Sequence, residues 1–418
     1  MPSEQTVPPR PHGLPFVFTM VVINMLGVGI AWPILPKLVQ ELSGGTISEA
    51  AYSYALITVS FALAQFIFAP LMGAISDRHG RRPIMLLAAL GLSVDHLLVA
   101  VAPSIAFLVL LRVIGGIFGA TIATANAYVT DISTPETRAR NFGLIGAAFG
   151  VGFVAGPLLG GVLGAMDVRY PFFAASVLAF GQFVYGYFFL PESLPEEKRT
   201  PLKLTSANPL GGLLQLRRFS VIIPLLLAFF ISAIFQRGLE ASWVLYTDFR
   251  YGWDIRAASW SLAYVGLTSA ITQAVLVRAV VPRLGETRTV VCGLALAGVT
   301  GLFFSFTGSG LAAIPLIGLY VIGYDLAGPP LRSIISAPVP PGEQGLLQGV
   351  MGSLNGLAVI IGPFFASLVL ADIAGPAPFL PLPGIWFLAG AIVLMSCSVT
   401  VALLARRAVG APAAHGGA

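Results

Sequence analysis

Gly73-Ala74-Ile75-Ser76-Asp77-Arg78-His79-Gly80-Arg81-Arg82-Pro83 is a short, charged, glycine-punctuated stretch wedged between two long apolar runs. Charge inside a bilayer is expensive unless it faces water or a partner. Irregular backbone exposed to lipid is costly as well. The stretch therefore reads as a tight turn at a membrane surface, joining two spanning helices. A generic basic turn is the plainer alternative, and the full glycine and charge spacing argues against it.

Composition supports a membrane chain independently. The 418 residues are 56% hydrophobic and only 10% charged, with a mean hydropathy of +0.88. Soluble domains carry about 25% charge. The 31 prolines and 47 glycines would disrupt soluble helices, whereas membrane helices tolerate both. The basic balance (pI ≈ 9.4) is spread over short loops and forms no single patch, so no nucleic-acid partner is expected. Cys292 and Cys397 both lie in apolar runs and define no disulfide framework. The four histidines, His12, His79, His96 and His415, are scattered. No metal-ligand cluster and no nucleophilic triad is visible, so neither an enzyme nor a cofactor or metal site is expected. No added soluble domain suggests a receptor.

A bilayer core needs roughly 20 apolar residues per helix. Apolar runs fall at about 14–36, 52–75, 83–101, 104–129, 141–164, 170–190, 220–247, 257–281, 289–307, 311–338, 345–371 and 384–405, twelve in all. The first is too long for a signal-peptide core and is read as a spanning helix. An even count puts both termini on one side. If that side is cytoplasmic, the inner loops, helix ends and tails hold 17 Lys and Arg residues. The outer loops hold four, Lys37, Arg169, Arg250 and Arg256. The positive-inside rule then places both termini in the cytoplasm. Arg outnumbers Lys by 20 to 3, a compositional hint of a GC-rich bacterial genome.

One long polar segment, 191–219, divides the chain. It implies a cytoplasmic tail (1–13), a six-helix bundle (14–190), a cytoplasmic linker (191–219), a second bundle (220–405) and a cytoplasmic tail (406–418). Within the linker, Leu210–Leu216 suits a short surface helix. The bundles read as repeats. Gly143, Gly146, Gly150, Gly156 and Pro157 recur as Gly349, Gly352, Gly356, Gly362 and Pro363 at a constant offset of 206. Arg283-Leu284-Gly285 is a decayed copy of Arg78-His79-Gly80, offset by 205.

Ionisable residues inside the runs mark candidate sites. Asp95 lies 13 residues past Arg82, about 20 Å from that face at ~1.5 Å per residue. Arg112 lies eight residues past Ser104, about 12 Å from the opposite face. In a core of ~30 Å these depths nearly coincide. An Asp95–Arg112 pair is expected, serving either proton coupling or a static ion pair. His96 points elsewhere and reads as a packed residue. Arg237 and Glu240 share a face of the seventh run, either as transport residues or as a local salt bridge. Asp325 sits near mid-membrane with no basic neighbour in sequence. A carboxyl there favours its neutral form and suits proton loading. Gly152-Phe153-Val154-Ala155-Gly156-Pro157-Leu158-Leu159-Gly160-Gly161 permits close backbone approach through its spaced glycines and a bend at the proline.

The opening stretch, with Gly73, Asp77, Arg78, Gly80, Arg81 and Arg82, resembles the loop 2–3 signature of the major facilitator superfamily. The stretch with Gly152, Gly156, Pro157, Gly160 and Gly161 resembles that family's fifth-helix antiporter motif. Further similar stretches point to drug/proton antiporters of the tetracycline-efflux kind. They are Gly27-Val28-Gly29-Ile30 with Pro33 and Pro36, Asp95 in its Leu-rich context, Ala127–Ile132 with Arg138 and Arg140, Trp243 with Trp253-Asp254, Arg283–Glu286, and Gln344-Gly345 with Leu347–Gly349. The resemblance implies an all-α integral membrane protein, with twelve transmembrane helices in two pseudo-symmetric six-helix bundles. It implies a monomeric inner-membrane exporter of a small-molecule substrate, driven by protons, with the lipid bilayer as surroundings. The loop 2–3 charges would act as a gate. Arg112, as the fourth-helix arginine, would be associated with proton coupling. The substrate would lie between the halves, where Asn24, Trp32, Phe61, Phe149, Phe235 and Tyr264 are candidate wall residues or else mere packing. Two positions depart from the group: its first-helix aspartate is Asn24 here, and its ninth-helix aspartate is Gly298. Tetracycline itself as the substrate is therefore in question. A facilitator or symporter without proton antiport is the competing expectation.

Overall fold

In the computed structural model, residues 13–120, 122–201 and 222–410 are described. Among them, twelve helices are long and apolar enough to cross a membrane. They are α1 (Phe18–Leu42), α2 (Ile47–His79), α3 (Arg81–Ala100), α4 (Ile105–Asp131), α5 (Glu136–Gly164), α6 (Tyr170–Phe189), α7 (Ile223–Tyr251), α8 (Ile255–Leu284), α9 (Glu286–Phe306), α10 (Gly310–Ser336), α11 (Gln344–Ile373) and α12 (Ile385–Leu404). The surface helix expected at Leu210–Leu216 and most of both tails lie outside the described residues.

Local chemistry sets the irregularities. In α1, regular helix ends at Ala31 and resumes at Leu35, because Pro33 and Pro36 each lack an amide donor. In α8 the helix widens into a π turn at Thr272–Leu276, a feature frequent at functional sites. The largest correction concerns the opening stretch. Expected as a loop from about 76 to 82, it is helical through His79, and α3 starts at Arg81. Only Gly80 breaks the two helices, with φ 100° and ψ 159°, a backbone region that suits glycine.

Clustering divides the chain into two compact units. One holds Met1–Leu42, Ser60–Pro209 and Ile255–Ala263; the other holds Ser43–Val59, Leu210–Asp254 and Tyr264–Ala418. Each contains a glycine-mediated helix contact of the same design. In the first unit, α5 lies against α1. A Cβ added at Gly156 would sit 2.6 Å from the Gly29 Cα, and one at Gly29 would sit 2.7 Å from the Gly152 carbonyl oxygen. In the second unit, α11 lies against α7. A Cβ at Gly362 would sit 2.8 Å from the Gly238 amide nitrogen, and one at Gly238 2.8 Å from the Gly362 carbonyl oxygen. The repeat read from sequence is thus a repeat of contacts. Its other glycines behave differently, again in parallel. A Cβ at Gly143, Gly146, Gly150, Gly349 or Gly352 would meet nothing within 4 Å. Those positions are not packing contacts.

The two classes of glycine should respond oppositely to a side chain. Gly156→Val and Gly362→Val force backbones apart and should each cost about 1–3 kcal/mol, read as a lower melting temperature of the purified protein. Gly146→Val, although on the same helix as Gly156, should leave the melting temperature within error. Equal losses at all three sites would contradict the contact assignment.

Candidate functional site

Three groups of polar side chains interrupt the apolar helices. The first surrounds Gly80. Arg81 reaches Asp77 at 2.5 Å and Asp131 at the end of α4 at 3.2 Å, and donates to the Ser76 hydroxyl at 2.6 Å. Glu192, just past α6, accepts from the backbone N–H groups of Arg81 and Arg82 at 2.8 and 3.2 Å. Its carboxylate therefore caps α3 where free amides and the helix dipole favour negative charge. A Cβ on Gly80 would lie 2.8 Å from the Glu192 carboxyl carbon, so space as well as backbone angle selects glycine. Arg82 donates to the Tyr187 carbonyl at 2.6 Å and lies over the Tyr187 ring at 6.0 Å. The Thr200 amide donates to the Asp77 carbonyl at 3.1 Å. The Gly73 carbonyl accepts from Ser76, and Arg78 is exposed. The six loop residues thus lie around one turn, and the structure adds Asp131, Glu192 and Ser76 to them. The sequence signal for Glu192 was only an acid following Pro191 at the end of an apolar run.

The second group lies inside the first unit. Arg112 Nη2 donates to Asp95 Oδ2 at 2.5 Å, and the two side chains are 11% and 1% exposed. The pair is incompletely satisfied: Asp95 Oδ1 and Arg112 Nε are buried without a hydrogen-bond partner. Gly115 makes room for the carboxylate, since a Cβ there would lie 2.9 Å from Oδ2. Phe61 covers the guanidinium with its ring centroid 5.8 Å away. His96 is buried beside the pair but binds its own helix, with Nδ1 2.7 Å from the Leu92 carbonyl oxygen. Both partners of this buried pair thus keep hydrogen-bonding capacity that nothing beside them uses.

The third group lies in the second unit and joins three helices. Glu240 takes Arg237 at 2.7 Å on one oxygen and the Gln236 amide at 3.1 Å on the other. The Tyr320 hydroxyl donates to Gln236 Oε1 at 3.2 Å. Arg237 and Glu240 are therefore a local ion pair on α7, extended to α10 by Gln236 and Tyr320, which the sequence did not single out. Asp325, one turn along α10 from Tyr320, keeps a buried Oδ2 without a hydrogen-bond partner. Ser269 and Gln273 of α8 face its carboxyl and bond each other at 3.0 Å. Ser269 lies just before the π turn and Gln273 within it.

The antiporter stretch of α5 is chiefly a contact surface. Gly152, Gly156 and Gly160 meet Met25, Gly29 and Ile30 of α1, and a Cβ at Gly161 would lie 2.5 Å from the Ser259 Cβ. Pro157 is accommodated within the helix. Within each unit the wall candidates have different neighbours. Trp32 packs edge-on against Phe153 at 5.4 Å, Phe61 covers Arg112, Phe235 stacks on Trp386 at 4.9 Å, and Tyr264 abuts Gly318. The side chain of Phe149 lies outside the described residues. Asn24 lines a small cavity within the first unit, together with Met20, Met25, Met85, Asn126 and Gln182 among others. Gly298, where the resembled group carries an acid, is filled by α12: a Cβ there would lie 2.6 Å from Met395 Cγ. A side chain at that position would have to displace Met395 and would crowd the α12 backbone, 3.2 Å away at the Ala391 carbonyl oxygen. No cluster of three or more His, Cys, Asp or Glu able to hold a metal ion occurs among the described residues.

Known proteins share this architecture. The model of the Major Facilitator Superfamily matches residues 17–363 and, overlapping, 225–415. The class C tetracycline resistance protein of Escherichia coli is 34% identical over 360 residues, covering 86% of this chain and 90% of that protein. The crystal structure of the human organic anion transporter MFSD10 aligns with a TM-score of 0.67 and 26% identity, over 95% of this chain and 99% of that one. The nucleoside transporter NupG aligns with a TM-score of 0.74 at 12% identity, over 94% and 99% of the two chains, and supports the fold alone.

Cutting one side of the Asp95–Arg112 pair leaves a buried charge uncompensated, a loss of about 3–5 kcal/mol in soluble proteins. Arg112→Gln should therefore lower the melting temperature clearly. The double variant Asp95→Asn with Arg112→Gln should recover most of the loss. Losses that simply add would mean that the two groups do not interact.

Proposed function

Because the chain belongs to the Major Facilitator Superfamily and is a multi-pass membrane transporter, not an enzyme, we propose that it exports a small amphipathic drug or metabolite in exchange for protons by alternating access. The observation that carries proton exchange is the buried, half-satisfied Asp95–Arg112 pair. Protonation of Asp95 would release Arg112 from its partner, and deprotonation would recapture it. Such a switch alters local helix contacts through a single charge. Asp325 is a second candidate carrier, since its Oδ2 is buried and unpartnered. Glu240 is a weaker one, because Arg237 and Gln236 already occupy both of its oxygens. The cluster at Gly80 serves as the gate. Arg81 holds Asp77 and Asp131 together, and Glu192 clamps the start of α3, so a conformational change must break several charge-assisted bonds at one point. The glycine face of α5 against α1 keeps that helix contact closed to ions.

The relative named for tetracycline resistance supports export of a drug-sized molecule. The concentration of basic residues on one side supports cytoplasmic termini and a bacterial inner membrane. The functional unit is a monomer of two six-helix halves, 14–190 and 220–405, joined by the 191–219 linker. A second reading, a facilitator or metabolite symporter without proton antiport, draws on Asn24: a carboxamide stands where the resembled group carries an acid, and it cannot exchange a proton.

Proteoliposomes separate the two. Accumulation of labelled drugs, tetracycline among them, should require an imposed pH gradient, and accumulation that ignores the gradient favours the facilitator. Asp77→Asn should reduce turnover at least ten-fold with an unchanged melting temperature; wild-type turnover would remove the gate. Asp95→Asn should abolish the pH dependence of flux, and an unaltered pH profile would assign coupling to Asp325.

A further inference from the structure

We propose that the turn between α8 and α9 binds the headgroup of an anionic phospholipid through Arg283 and Arg288, with Arg278 beside them. The turn is the second copy of the charged stretch at Gly80, and its charges are arranged differently. In the first unit Arg81 is held by Asp77 and Asp131. At the offset of 205 that relates the two stretches, Asp77 corresponds to Pro282, so the second copy lacks that acid. Between positions 278 and 288 stand three arginines and one carboxylate, Glu286. All three arginines are exposed. No side-chain hydrogen bond or ion pair joins Arg278 or Arg288 to a described residue. The Arg283 guanidinium donates to the Ala279 carbonyl of its own helix at 3.2 Å. Glu286 is engaged with α10, where its Oε1 accepts from the Ser333 hydroxyl at 2.6 Å. Arg332, next to Ser333, lies over the Phe229 ring of α7 at 5.8 Å and is left out of the group.

Charge and surroundings together make a lipid the occupant. The turn joins two helices long and apolar enough to span a membrane, which sets it at a membrane surface. Of the twelve spans, α8 is the one that the protein covers least: 11% of its most apolar stretch is buried, against 28% or more in each of the others. Ile271, Val275 and Leu284 are exposed along its final turns. They offer acyl chains an apolar wall that leads to the arginines. The turn itself is open, since a Cβ at Gly285 would meet nothing within 4 Å, whereas Glu192 closes the turn of the first unit. A guanidinium is planar and suits two parallel hydrogen bonds to phosphate oxygens. Unpaired arginines beside a bilayer draw anionic headgroups as counter-charges. A soluble anion would meet the same arginines and gain nothing from the apolar wall.

The assignment is independent of what the chain exports. The probes are dioleoylphosphatidylglycerol, which is anionic, and dioleoylphosphatidylcholine, which has the same chains and no net charge. Native mass spectrometry of the purified full chain counts the lipid bound. Each surface arginine contributes about five-fold to binding of an anionic lipid, and Glu286 takes part of that back. The unaltered chain should therefore bind the phosphatidylglycerol roughly ten-fold tighter than the phosphatidylcholine. Arg283→Gln with Arg288→Gln should erase the preference. Arg138→Gln with Arg140→Gln removes equal charge from exposed arginines of the first unit and should leave it intact. Glu286→Gln keeps an acceptor for Ser333 and should raise the preference a few-fold, a gain that misfolding cannot produce. Millimolar inorganic phosphate should not displace the bound lipid. Equal binding of the two lipids would overturn the site. So would a preference that survives at Arg283 and Arg288, one lost equally at Arg138 and Arg140, or displacement by inorganic phosphate.

Discussion

Helices surrounded by lipid gain nothing from hiding apolar side chains, because the lipid is as apolar as they are. What holds them is close van der Waals contact, and the closest contact needs small residues. The pairs Gly29–Gly156 and Gly238–Gly362 are where this constraint is most visible. At each, two backbones approach so tightly that a single methyl group would not fit. The positions recur at nearly the same spacing in the two halves of the chain, so the same contact was retained in both copies of the repeat. The framework for every polar group follows from these seams. Asn24 and the Met25 side chain are held on α1 by α5, and Gln236, Arg237 and Glu240 are carried on α7, held by α11.

Against this framework charge is sparse, and three groups of ionisable side chains stand out among the described residues. At Gly80, Arg81 and Glu192 bind across helix ends, near enough to water that Asp77 stays half exposed. Deeper, Asp95 and Arg112 neutralise each other, yet each leaves one polar atom empty. In the second unit the acidic residues divide: Glu240 is engaged on both oxygens, while Asp325 is not. For the proposed proton exchange, an incompletely held carboxyl suits a carrier better than a fully engaged one, which favours Asp95 and Asp325 over Glu240.

The two positions at which the resembled group carries an acid have different surroundings. At Gly298 the neighbouring helix occupies the space, so the position is now packing. At Asn24 the side chain lines a cavity and brings no charge to it. With Gln182 and Asn126 it forms the uncharged polar part of that cavity's wall.

The sequence by itself determined the class, the twelve spans, the repeat and the Asp95–Arg112 pairing. Those depend on apolar length, periodic glycine and depth counted along a helix, all of which are one-dimensional quantities. It also located the charged turn, though it read as loop what is helix up to Gly80, because charge marks a membrane surface without stating whether the backbone stays wound. Only the tertiary structure decided which atoms are engaged. Glu192 and Asp131 lie 110 and 50 residues from Arg81 or Arg82 in the chain, and Tyr320 lies 84 from Gln236; no local pattern links them. The packed glycines of α5 and its open ones are the same letter at similar spacing, separated only by whether another helix faces them. Gln182 is likewise an unremarked amide in an apolar run until the fold buries it and leaves its Oε1 without a partner, since an empty acceptor is defined by what fails to reach it in space.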